Sequence, residues 1–371
     1  MKNKLIILFY FLTSIVLLSQ DVHQFTMIKE IKTTPVKNQA RSGTCWSFAT
    51  TSFIETELLR KGFDELNLSE MYSVRRKLLK MAENYVRYHG KANFGDGGQA
   101  HDVLNAVINY GMIPESYYSG MNIGLDEHNQ GEMMAVLEGM LDGIIKNKNG
   151  KLTPKWKEAI EAVLNIYLGT PPDNFNYKGK EYTPKSFAKL TGFNPYDYVE
   201  ITSYSEKPYY TKFILPVPDN WENAEYYNVA EDDLMEIINN ALDNNYSVCW
   251  DGDVSRDNFF RAEGYGVIPE ENSRRQVLTA VPEKEIEISP EMRQRSFDDY
   301  DVTDDHLMHI VGLAKDQEGT KFYYTKNSWG TTDKKYDGYW YLSESYIRLK
   351  TIAIMVNKAS IPVNIREKLG I

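Results

Sequence analysis

Cysteine is scarce in this chain: Cys45 and Cys249 are the only two among 371 residues. Two cysteines form at most one bridge, so a disulfide-built scaffold is excluded. Positive charge is also short. Lys and Arg total 42 against 52 Asp and Glu, a net charge of -10. Lys37, Arg41, Arg75, Arg76 and Lys77 are scattered, and no basic patch offsets the deficit, so no nucleic-acid partner is expected. Internal repeats and low-complexity tracts are missing as well. No cofactor and no metal are called for.

A long apolar run is found at one place, the start. Lys2 and Lys4 precede an apolar stretch from Leu5 to Leu18, followed by small Ser19. Residues 1–20 read as a secretory signal peptide, too short for a membrane span. No cysteine lies near the end of that segment, which speaks against a bacterial lipid anchor. The expectation is an exported protein, periplasmic or extracellular, that begins near Gln20 or Asp21 and keeps no membrane span once the segment is removed. An oxidising compartment could join the two cysteines. A nucleophilic Cys45 must stay free, so no disulfide is expected.

What the chain does have is enough apolar residue, 42%, to bury one large or two moderate cores. Trp46, Ala49, Phe53, Ile54 and Leu58 recur at helical spacing, with Thr44 placed to cap and Gly62 to end the helix. Ser69 caps a second helix running to about Arg87, and a third spans about Ala100 to Tyr110, closed by Gly111. Two helical patterns lie between about Gly131 and Leu168, broken around Asn147 to Pro154. The Tyr-, Asn- and Pro-rich region to about Val229 reads mostly as loop with short strands. A helix from about Glu231 to Leu242 leads into a strand at Val248. From His306 on, strand-like alternation dominates, at His306–Leu313, Lys321–Lys326, Gly338–Leu342 and Thr351–Val356. A helical half followed by a strand-rich half is an α+β arrangement, with a cleft between the halves as the natural place for a site.

Cys45 stands in the first turn of its helix, after the turn Arg41-Ser42-Gly43-Thr44. Unpaired N–H groups and the positive end of the helix dipole favour thiolate there, which predicts a lowered thiol pKa. Thiol catalysis of acyl transfer also needs a base, a group to orient the base, and donors for the oxyanion. Of six histidines, His306 and His309 begin a strand in Asp-His-Leu-Met-His-Ile-Val-Gly. Side chains alternate along a strand, so the two cannot serve one purpose from it; His309 is expected to be packing. Asn327, in Lys-Asn-Ser-Trp-Gly directly after a strand, can accept an imidazole N–H, and Trp329 can shield that bond from water.

These residues carry a resemblance. Ser42-Gly43-Thr44-Cys45-Trp46 is close to the nucleophile signature of papain-like thiol proteases. The order Cys45, His306, Asn327 is theirs too. More narrowly, the chain resembles the bleomycin hydrolase/aminopeptidase C family over about residues 30 to 360. The fragments include Leu66-Asn67-Leu68-Ser69-Glu70-Met71-Tyr72, Asp96-Gly97-Gly98-Gln99, Gly169-Thr170-Pro171-Pro172 and Val248-Cys249-Trp250-Asp251-Gly252-Asp253-Val254. His306 follows Cys45 at well beyond the about 130–150 residues of papain-like enzymes, and the resemblance assigns the excess to a helical insertion. The implied division is a helical lobe at 21–130, an insertion at 131–240 and a β-rich lobe at 241–371.

The resemblance further implies Cys45 as nucleophile and His306 as general base and acid. Asn327 would orient His306, and Gln39 with the Cys45 backbone N–H would form the oxyanion hole. Gly97 and Gly98 would line the cleft wall where a substrate backbone approaches, with Trp329 beside them. The implied partners are peptide substrates, and the implied assembly is a homo-hexamer. The expected activity is an aminopeptidase, with an endopeptidase as the alternative. A peptide-binding protein on an inactive scaffold, or an acyl transferase using the same triad, is the reading from another class.

Overall fold

The computed structural model of the chain describes residues 23–147, 150–254, 258–270, 282 and 284–371. The segment read as a signal peptide, residues 1–20, lies outside them. Helix α1 (Cys45–Arg60) is buried from Cys45 to Leu58. A helix with no solvent face must run through the middle of a fold, and the rest is built on it. It closes with Arg60 in the last turn and Gly62 at a φ of 87°. Helix α2 (Glu70–Arg87) starts at Ser69, whose hydroxyl accepts the Tyr72 N–H at 3.1 Å. Ser69→Ala is expected to lower stability by about 1 kcal/mol, read as a shift in the urea midpoint. Helix α3 (Ala100–Tyr110) opens on a capping box between Gln99 and Asp102 and closes at Gly111.

Helices α4 (Gly131–Ile145) and α5 (Lys155–Leu168) stack on this group, with the hairpin β2 (Phe175–Tyr177) and β3 (Lys180–Tyr182) and helix α6 (Pro184–Thr191) beyond. Leu137, Leu141, Leu164 and Phe187 join Trp46, Phe53, Tyr72 and Leu78 in one apolar core. Helix α6 falls where loop was expected. Its start is fixed by Thr183 and Ser186, each hydroxyl accepting the other's N–H.

The second lobe is a sheet. Its strands are β1 (Thr26–Glu30), β4 (Tyr198–Thr202), β5 (Lys212–Ile214), β6 (Glu225–Asn228), β7 (Val248–Gly252), β8 (Phe259–Phe260), β9 (Tyr265–Gly266), β10 (His306–Lys315), β11 (Lys321–Lys326), β12 (Tyr339–Ser343) and β13 (Thr351–Asn357). Their order is β5-β6-β4-β13-β7-β10-β11-β12-β9-β8, with β1 added on β10. Pairing is antiparallel except for β4 with β6 and β12 with β9. Helices α7 (Glu231–Asp243), α8 (Pro290–Asp298), α9 (Glu344–Lys350) and α10 (Val363–Leu369) complete the chain. Leu234, Ile237 and Ile238 of α7 pack with Trp250, Met308, Ile310 and Trp340 in a second core. Among the described residues of 131–240, α4–α6 share the core of α1–α3, β4–β6 extend the sheet, and Tyr204, Leu215, Val217 and Tyr226 pack with Val302 and Ile352.

The lobes are joined by buried polar groups that satisfy one another. Ser52 of α1 bonds His309 Nδ1 at 2.9 Å, and Lys326 Nζ donates to Ser52 Oγ at 2.8 Å and to the Thr34 carbonyl at 2.7 Å. Glu57 of α1 accepts from the Tyr198 hydroxyl at 2.8 Å and from Asn357 Nδ2 at 2.9 Å. His309 thus serves the lobe interface, on the strand face opposite His306. Among the described residues, no helix is long and apolar enough to cross a membrane.

Candidate active site

Cys45 is the first residue of α1, and the turn before it is stapled to the loop that precedes α3. The Gly43 N–H donates to Asp96 Oδ2 at 3.0 Å, and the Trp46 indole N–H donates to the Asp96 carbonyl at 2.9 Å. Gly43 has to be glycine here, because a Cβ would come within 2.7 Å of the Asp96 Cβ. Buried Lys77 of α2 donates to the carbonyls of Gly95, at 2.8 Å, and Gly97. Thr44 does not cap α1 as expected. Its hydroxyl pairs with Ser42 Oγ at 2.6 Å, and Ser42 Oγ reaches the Gln39 carbonyl at 2.7 Å.

The sheet brings the other groups to this turn. Strand β10 begins at His306, while β11 pairs with it only from His309 onward. Near that open edge the Leu307 N–H bonds the Cys45 sulfur. Asn327 follows β11, and its Oδ1 accepts the Ser328 N–H at 2.7 Å. That bond identifies the acceptor end of the amide, so His306 Nε2, 2.8 Å from the same oxygen, is the donor. His306 therefore carries its proton on Nε2 and a lone pair on Nδ1. The Trp329 ring lies over His306 with centroids 4.6 Å apart, and the Arg261 guanidinium sits 4.4 Å from the Trp329 centroid.

Gln39 is gripped from both lobes. Its Nε2 donates to the Ser42 carbonyl at 2.8 Å, its Oε1 accepts from Ser328 Oγ at 2.6 Å, and its N–H donates to the Ser328 carbonyl at 2.8 Å. One Nε2 hydrogen is left for another acceptor. Cys45, Gln39, His306, Asn327 and Trp329 are thus brought together from chain positions far apart.

One expectation is corrected. The thiol is not depressed in this closed arrangement. Burial, helped by the fields of Asp304, Asp251 and Asp219, pushes Cys45 up to about 12 against the pull of the Leu307 N–H. Burial also takes His306 down to about 4, opposed by the Asn327 bond and aided by Arg261. The resting pair is neutral thiol and neutral imidazole, because desolvation of two charges outweighs the helix dipole. At Gly97 and Gly98 the position of a side chain is already occupied. A Cβ on Gly97 would overlap the Asp219 carboxylate, and one on Gly98 would meet Asp102 Oδ2 at 2.8 Å and the Trp46 ring at 3.0 Å. Both positions therefore require glycine for the loop to pack on Asp219, Asp102 and Trp46.

Sequence reasoning missed several neighbours. Ser328 secures Gln39, and Gln99 Nε2 donates to Asp304 Oδ2 at 2.8 Å. Asp304 did carry a signal, two acids standing directly before His306. Asp251 and Asp219 carried none, since folding alone brings them near. Among the described residues, His101, Asp102 and Glu222 could bring ligand atoms within 4.8 Å of one another. Other duties account for them. His101 Nδ1 bonds Glu200 at 2.8 Å and is held protonated, near 9, although burial opposes it; Asp102 accepts from the Gln99 N–H and the Trp221 indole.

The model of the Peptidase C1-like family matches residues 13–370. The chain is 23% identical over 397 residues to the protein named cysteine proteinase 1, mitochondrial, of Saccharomyces cerevisiae, covering 94% of this chain and 80% of that one. It is 23% identical over 396 residues to aminopeptidase C of Lactobacillus delbrueckii subsp. lactis, covering 92% and 83%. Among solved structures, PepW from Lactobacillus rhamnosis aligns with a TM-score of 0.75 at 18% identity, covering 93% of this chain and 84% of that one. The two-lobed α+β papain-like fold and the resemblance to aminopeptidase C are borne out. Export is not: the yeast relative is named mitochondrial. Matched from residue 13 to residue 370, the chain belongs to the Peptidase C1-like family and is a cysteine-type peptidase.

Proposed function

We propose that this peptidase removes residues from free peptide N-termini, with Cys45 as nucleophile and His306 as general base and acid. The observation that carries the reading is the His306–Asn327 bond of 2.8 Å, made while the adjacent Leu307 N–H touches the Cys45 sulfur. The relatives named aminopeptidase C support the N-terminal preference.

The thiol proton passes to His306 Nδ1 as the sulfur adds to the peptide carbonyl carbon. Asn327 keeps the ring in place, and its oxygen steadies the imidazolium through Nε2–H. Charge gathering on the carbonyl oxygen is met by the remaining Gln39 Nε2 hydrogen and the Cys45 N–H. The C–N bond then breaks, and the amine leaves with the proton from His306. Water, deprotonated by the same imidazole, hydrolyses the thioester and restores the thiol. A neutral resting pair suits this sequence: charge separates only when substrate is present to be attacked.

Gln39→Ala is expected to lower kcat by about 10²–10³ with KM little changed, because the lost donor acts on the oxyanion. A kcat within threefold of the parent would remove Gln39 from the mechanism. The N-terminal preference is tested with a peptide library carrying free or acetylated N-termini. Stepwise release from free ends alone is expected; efficient internal cuts in acetylated peptides would make the enzyme an endopeptidase.

A further inference from the structure

Beside the Cys45 sulfur lies a group of acids that the mechanism above does not use. In the β7–β10 ladder Asp251 stands opposite Leu307, the residue whose N–H meets that sulfur. Asp251 is 3% exposed, and neither carboxylate oxygen has a hydrogen-bond donor among the described residues. Asp304, two residues before His306, lies within reach of Asp251 and takes one bond from Gln99. The Tyr204 hydroxyl, 3% exposed and also without a partner, feels both carboxylates but bonds neither. Asp251 and Tyr204 therefore keep buried oxygens that receive no donor from the described residues other than a proton shared between Asp251 and Asp304.

The surrounding charges do not compensate. Lys77 faces Asp219, with its Nζ on the Gly95 and Gly97 carbonyls. Arg293 stacks on the Tyr204 ring and donates to the Ser203 and Arg348 carbonyls. Glu200, Asp219 and Tyr226 add negative or neutral neighbours. Two touching carboxylates cannot both ionise cheaply, so one holds a proton between them; burial holds Asp304 near 7. A cation arriving from outside could replace that proton.

We propose that Asp251 and Asp304, with Tyr204 at their side, form a subsite that binds a primary ammonium group of the substrate next to Cys45. The proposal rests on the peptidase reading above and adds which groups recognise the substrate. A bound ammonium would also relieve the negative field on Cys45, coupling recognition of the cation to formation of the thiolate. The ammonium has two sources, the peptide N-terminus and a lysine side chain.

Four fluorogenic amides on the intact enzyme separate them: norleucyl and lysyl, each with a free or an acetylated N-terminus. The ratio of kcat/KM for free over acetylated norleucyl reads the α-ammonium. The ratio for acetyl-lysyl over acetyl-norleucyl reads the side chain. At least one ratio is expected to exceed about tenfold in the parent and to fall by about tenfold or more in Asp251→Asn and Asp304→Asn. Ratios near one in the parent overturn the proposal without any variant, and a parent ratio that survives both substitutions overturns it as well. The aminopeptidase reading fails separately: acetylated substrates would be cut as fast as free ones, while a lysine preference lost in the variants would leave the subsite standing.

Discussion

Replacing Cys45 by alanine is expected to lower kcat by about 10⁶, to the residual rate that binding and the oxyanion donors leave above water. The size follows from the proposed covalent mechanism, in which loss of the sulfur removes the thioester and leaves His306 nothing to deprotonate except water. Alkylation gives a second reading of the same atom. Iodoacetamide is expected to modify Cys45, slowly and with His306 taking the thiol proton, and to spare Cys249, which is 1% exposed and lies against Thr50 Oγ at 3.6 Å inside the lobe contact. Intact mass and a peptide map locate the label while residual activity is followed. Activity above about 1% in the alanine variant, or a label on Cys249 that tracks inactivation, would remove Cys45 from its role.

Trp46→Ala is expected to cost about 3–5 kcal/mol of stability, measured from urea unfolding. Trp46 is wholly buried, and it is more than core filling. Its indole N–H holds the Asp96 carbonyl, Gly98 packs on its ring, and Lys77 sits 5.7 Å from the ring centroid. This side chain, with Lys77 and the Gly43 N–H, therefore holds the loop carrying Gly97 and Gly98. Trp46→Phe keeps most of the packing and loses the hydrogen bond, so a smaller loss of about 1–3 kcal/mol is expected. A loss under 1 kcal/mol for the alanine variant would show that the loop is held elsewhere.

Much of this was legible before any coordinates, for reasons that differ by element. Helix α2 was readable to its ends, because Ser69 and the apolar spacing act locally. The same holds for α3, with Gly111 at its close, and for β11. Helices α6, α8, α9 and α10 escaped notice. They are short, and the helix from Val363 to Leu369 owes its order to Ile365 and Leu369 docking in the second core. A window of seven residues has too few periodic positions to declare such a helix. The N-terminal apolar run is a reading of composition and charge order, and neither records where a chain is delivered; the relative named mitochondrial speaks against export.

The sequence by itself nominated the candidates for the site, since Cys45, His306 and Asn327 each sit in a local pattern that suits thiol chemistry. It also determined the two-lobed order, helices first and strands after. Only the tertiary structure decided the charge state of the site. A helix dipole is a local property and argued for thiolate. The burial of Cys45 and the approach of Asp219, Asp251 and Asp304 come from three distant stretches, and together they reverse that outcome. Desolvation and through-space fields depend on where the chain returns, and spacing along the chain does not record it.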